Sequence, residues 1–90
     1  MIFITARFRI KPEHAEDWPE ISREFTEACR AEPGCLHFAL SQTDDPLVWQ
    51  VEELFADEAA LKAHKARTTA SPWGAATAGI ARSIHRIDAA

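Results

Sequence analysis

Two cysteines are all that the 90 residues contain. Cys29 and Cys35 match neither a Cys-x-x-Cys redox pair nor a zinc pattern, and two thiols do not make a disulfide framework. Both are expected to be reduced. No stretch approaches the roughly 18 consecutive apolar residues of a membrane span. The N-terminal Met-Ile-Phe-Ile-Thr-Ala-Arg lacks the basic leader and longer apolar core of a secretory signal. A cytoplasmic protein with no membrane partner is expected. Basic residues are also in short supply, ten against 14 acidic ones for a net charge of -4. They are scattered, whereas affinity for nucleic acid comes largely from clustered Lys and Arg. The four histidines, at 14, 37, 64 and 85, show no His-x-x-x-His spacing, so no metal site is expected.

What is present is the composition of an ordinary globular protein, 47% hydrophobic and 27% charged, read as a single domain over residues 1–90. A chain of this length buries only about 60 to 65% of the surface its unfolded form exposes. Any face it leaves uncovered is expected to recruit a partner, most simply a second copy in a homodimer.

From Ile2 to Ile10 apolar residues occupy the even positions, while Phe3, Thr5, Arg7 and Arg9 take the odd ones, which predicts a strand with one buried face. After Lys11-Pro12, the residues Trp18, Ile21, Phe25, Ala28 and Cys29 form one helical stripe. Pro19 fits within the first turn if the regular helix starts near Asp17. Glu32-Pro33-Gly34 ends it. Cys35 opens a second strand, with Leu36, Phe38 and Leu40 on one face and His37, Ala39 and Ser41 on the other. Ser-Gln-Thr-Asp-Asp-Pro then turns the chain back.

Val48 to Phe55 reads as a third strand, with Trp49, Val51, Glu53 and Phe55 sharing a face. Asp57 is placed to cap a second helix whose inner stripe is Asp57, Ala60, Leu61, His64 and Thr68. Ser71-Pro72 opens a short third helix, and Ala81 to Asp88 reads as a last strand. Strand, helix, strand, strand, helix, strand is the ferredoxin-like α+β arrangement, with a four-stranded antiparallel sheet in the order 4-1-3-2.

The stretch from Val48 to His64 carries the chemistry. Glu53 lies about 13 Å before the Asp57 corner at strand rise, and His64 about 10 Å after it at helical rise. A helix folded back over its own strand therefore brings the two side chains within reach. A carboxylate among Trp49, Val51 and Phe55 needs a partner, and an acid paired with an imidazole in an apolar setting can handle a proton. The same pair can serve as a structural pin holding the helix to its strand.

Glu32-Pro33-Gly34-Cys35-Leu36 entering the second strand, Glu53 two residues before Phe55, then Asp57, Ala60-Leu61 and His64, together resemble the antibiotic biosynthesis monooxygenase superfamily. The resemblance implies a dimeric α+β barrel with a pocket between sheet and helices. It also implies oxidation of a small phenolic, quinol or anthrone-like aromatic by O₂ without flavin, metal or heme. By that resemblance the base is His64, oriented by Glu53. Trp49, Phe55 and Trp73 would be the walls, with His37 and Arg7 as further polar contacts. The best understood members use Asn and Tyr in the pocket, and the heme-degrading branch an Asn on the first strand; this chain has neither residue type. A dimeric barrel that binds a small hydrophobic molecule without transforming it is the alternative.

Overall fold

The computed structural model describes residues 1–89. Its strands are β1 (Ile2–Arg9), β2 (Cys35–Gln42), β3 (Val48–Phe55) and β4 (Arg82–Asp88), and its helices α1 (Trp18–Arg30), α2 (Glu58–Thr69) and α3 (Pro72–Ala76). All strand pairs are antiparallel and the sheet order is β2-β3-β1-β4, which read from the other edge is 4-1-3-2. The fold is ferredoxin-like α+β, as the pattern predicted. Among the described residues, no helix is long and apolar enough to cross a membrane.

Strand parity decides what is covered. The even residues of β1, with Ile10 beyond it, are buried, whereas Arg7 and Arg9 are exposed on the opposite face. Helix α1 follows Asp17 at its N-cap, with Pro19 in its first turn and a short 3-10 turn at Pro12–His14 before it. It buries Trp18, Ser22, Phe25 and Cys29. Ala28, expected on that stripe, is exposed: the helix is tangent to the sheet along Trp18, Phe25 and Cys29, and Ala28 falls past the edge of the contact. Trp18, Phe25 and Trp73 pack closely, with Phe25 stacked on Trp73 at 4.5 Å and 11° and Trp18 4.6 Å from the same indole.

The second strand departs from simple alternation. Cys35 pairs with Phe55 and His37 with Leu54, so Leu36 is the extra residue of a bulge and stands 55% exposed. A bulge inserts one residue and shifts the parity of what precedes it. Cys35 therefore takes the covered side with Phe38 and Leu40, and Leu36 does not.

The second helix is capped by Asp57, whose Oδ1 accepts from the Ala60 amide at 2.8 Å. Helix α3 is capped in the same way by Ser71, which accepts from Gly74. Gly34 adopts φ +83°, and a Cβ there would lie 2.6 Å from the Ala60 Cβ. Only glycine allows the α1–β2 corner to come this close to the first turn of α2. That approach carries Glu32, two residues earlier, toward the inner face of α2.

Candidate active site

Helix α2 is not apolar along its buried face: its two buried residues are Leu61 and His64. The His64 ring lies against Phe55, with centroids 4.8 Å apart, and Phe25 and Phe38 complete an aromatic surround at 6.0 and 6.4 Å. Its Nε2 is 3.1 Å from Glu53 Oε1, and its Nδ1 is 3.1 Å from Glu32 Oε2. Both carboxylates are well covered, with side chains 6% exposed for Glu32 and 13% for Glu53. Arg67 closes the chain of charges from the far side, 3.1 Å from Glu32 Oε2. Thr68 Oγ1 donates to the His64 carbonyl at 2.9 Å and lies 3.4 Å from Nε2.

Arg67, Glu32, His64 and Glu53 thus form a line of alternating charge. Burial, the largest single influence on His64, pushes its pKa down, but ion pairing with Glu53 and then Glu32 outweighs it, and the net result is a raised pKa. A neutral imidazole has one N–H and one lone pair. Between two carboxylates, the lone pair would face an anion. The imidazolium satisfies both sides, which is why the cluster holds its proton.

Cys29 Sγ, a Glu32 oxygen and His64 Nδ1 lie within 4.8 Å of one another, a donor set of the kind that holds transition metals. Here the donors are already committed. Glu32 faces both the imidazole and a guanidinium, and burial, followed by the Glu32 and Glu53 carboxylates, pushes the Cys29 thiol far up, so it stays protonated. A cation would have to displace two protons and face Arg67.

On the Glu53 side of His64 opens a cavity of about 420 Å³, lined by residues of the sheet, all three helices and β4. The size suits a small organic molecule. Its walls include Phe8, Phe25, Val51, Leu61 and Trp73, with Glu53 and His64 at the polar end. Lys65, Arg82 and Arg86 lie at the rim together with Ile84, which is 58% exposed.

Of the residues singled out in the sequence, Glu53, His64 and Trp73 line this cavity. Phe55 and Trp49 do not. Phe55 is fully buried beneath His64 and acts on the site through that ring. Trp49 packs on Trp18, 6.1 Å away, in the apolar core. Arg7 projects from the open face of the sheet and donates to Gln50 at 2.7 Å. His37 is exposed at the bulge beside Leu36 and Cys35. Arg7 and His37 sit on strand positions whose parity turns them away from the helices. Sequence reasoning missed Glu32, which it read only as part of a helix stop, although a carboxylate is not what a Pro-Gly stop requires. It also missed the rim cations of β4.

Fold and site together define a small α+β domain with a proton-holding acid–imidazole cluster at the end of an apolar cavity. The family model for antibiotic biosynthesis monooxygenases matches residues 1–73, and the chain belongs to that family. A solved antibiotic biosynthesis monooxygenase is similar at 28% identity with TM-score 0.79, the match covering 100% of this chain and 99% of that one. A candidate antibiotic biosynthesis monooxygenase from Caulobacter crescentus is similar at 30% identity with TM-score 0.75, covering 99% and 89%. One from Nitrosomonas europaea, at 22% identity, shares the fold with TM-score 0.82 over 99% and 98%. No functionally curated protein matches the sequence.

Proposed function

We propose that the protein is a cofactor-independent monooxygenase acting on a small electron-rich aromatic, a phenol, quinol or anthrone, with O₂ as oxidant. The observation that carries this reading is the placement of Glu53 and His64 at the end of an otherwise apolar cavity. The imidazolium is the resting form, so it is the fraction of molecules with neutral His64, in which a lone pair faces a carboxylate, that draws a proton from a bound hydroxyl or activated C–H. Turnover is therefore expected to rise with pH through the raised His64 pKa. The walls exclude water and leave the substrate anion reactive. The anion gives one electron to O₂, and the carbon radical and superoxide combine into a peroxide. This loses water to leave a carbonyl, so one oxygen atom ends in the product and one in water. His64 is the base and Glu53 its orienting partner, with Trp73 against the ring of the substrate.

A homodimer belongs to the same proposal. The open face of the sheet carries Phe3, Thr5, Arg7 and Arg9 on β1 and Ile87 on β4, the last 63% exposed. Twofold packing of these faces would supply the core that a small chain lacks; sedimentation as a 10 kDa species at micromolar concentration would contradict it.

The test is aerobic incubation with a panel of hydroquinones and anthrones, following oxygen uptake against a protein-free control. Uptake that falls by about 10² or more in His64→Ala, with the oligomeric state unchanged, is expected. Saturable binding without uptake would instead identify a non-catalytic binding protein, and full turnover by His64→Ala would remove the base assignment.

A further inference from the structure

The cavity is polarised at both ends, and only the inner end is electrically balanced. There Glu53 and His64 offset each other. At the rim, Arg86 is matched by Glu58 and Asp88. Lys65 and Arg82 also line the cavity, and among the described residues neither forms an ion pair with a carboxylate. Arg82, though exposed like the rest of β4, is anchored at its guanidinium. Its Nη2 donates at 3.0 Å to the hydroxyl of Thr77, a buried residue of the cavity wall, and that hydroxyl is itself tied to the Trp73 carbonyl at 2.8 Å. The guanidinium is thereby anchored to the stretch of cavity wall that holds Thr77 and Trp73, with donors to spare.

A protein of net charge -4 has thus left two unmatched cations at the entrance of its apolar cavity. Charge of one sign around a low-dielectric opening attracts and orients ligands of the other sign, and a guanidinium is suited to the planar fork of a carboxylate.

We propose that the ligand is an aromatic acid, its ring system held between Phe8, Phe25, Trp73 and Ile84 and its carboxylate at the rim against Arg82 and Lys65. The hydroxyl or activated carbon at its other end then points to Glu53 and His64. This rests on the reading of the cavity as the aromatic site. It adds that selectivity is set at the entrance, by charge, and not at the proton-handling end. Arg82 is a specificity-determining residue on this account.

The test is titration calorimetry of the intact protein with 6-hydroxy-2-naphthoic acid, its methyl ester and 2-naphthol. The acid is expected to bind at least tenfold more tightly than the ester at low salt, with the advantage shrinking as ionic strength screens the rim. Arg82→Gln should remove most of that preference and Arg82→Lys should retain part of it. Lys65→Gln gives an independent reading should Arg82→Gln fold poorly, and Arg23→Gln, on the outer face of α1, is the control for a lost charge elsewhere. Equal binding of acid, ester and naphthol overturns the carboxylate assignment and leaves the aromatic cavity standing. Binding of none of the three overturns both. An acid preference that persists unchanged in Arg82→Gln and Lys65→Gln overturns the assignment to these residues.

Discussion

Helices α1 and α2 occupy equivalent places in the two halves of the fold and are built on opposite principles. Helix α1 presents Trp18, Phe25 and Cys29 to the sheet and packs against it and α3 through a largely apolar surface, with Ser22 satisfied by its own helix and the Trp18 Nε1 buried among aromatic rings without a partner. Helix α2 buries Leu61 and then His64, with the polar Thr68 one turn on. The first helix closes its side of the sheet. The second is held off by a line of charges, and the space it leaves is the cavity. Two halves of matching topology therefore divide the labour unequally, since one supplies rigidity and the other uses it to hold ionisable groups away from water.

The largest effect that would test this division is Trp18→Ala. As a nearly fully buried side chain in contact with Phe8, Trp49 and Trp73, its truncation is expected to cost about 3–5 kcal/mol of unfolding free energy, measured by denaturant titration. A cost below about 1 kcal/mol would mean that α1 is no more of a scaffold than α2.

The joint between the halves comes next. Gly34→Ala forces a residue with a Cβ into positive φ and against the Ala60 side chain. The loss should be about 1–3 kcal/mol from backbone conformation alone, accompanied by weaker protection of the α2 amides as the Glu32–His64 contact opens. An unchanged melting temperature would show that the two halves dock without this corner.

A gentler probe uses pH. His64 has a raised pKa in the folded protein, so its contribution to stability is fully present below the unfolded imidazole value of about 6.5. It is lost as pH rises through the higher folded value. Melting temperature should fall across that window in the parent protein and stay flatter in His64→Gln. If the two profiles are parallel, the imidazolium is not what holds α2 to the sheet.

Much of this was legible in the sequence because it depends on short-range chemistry. Alternation in β1, the caps at Asp57 and Ser71, and the return of α2 over β3 that joins Glu53 to His64 all follow from spacing within a dozen residues. The remainder depends on contacts between distant segments. Glu32 reaches His64 only because Gly34 lets two elements approach, a fact about Ala60 as much as about Gly34. The bulge at Leu36 left no mark in the hydrophobic pattern, since Cys35 and Leu36 are both acceptable in either orientation. Arg7 and His37 are the further polar contacts that the resemblance offers, although the parity of their own strands turns them outward. Arg82 lies at the cavity only because β4 pairs with β1 at the edge of the sheet.

That edge strand has a further consequence for motion. Every residue of β4 is exposed, so what holds it is its ladder to β1, extended by the mutual bonds of Met1 and Ala89 at 2.8 and 2.9 Å, and two side-chain ties, Arg82 to Thr77 and Arg86 to Glu58. With no buried side chain to restrain it, the strand has an opening free energy well below that of the core, and in the single chain its amides are the first of the sheet to exchange with solvent. If the proposed homodimer forms, docking of the second copy against the open face would slow that exchange, and protein concentration would then control how long the rim of the cavity stays formed.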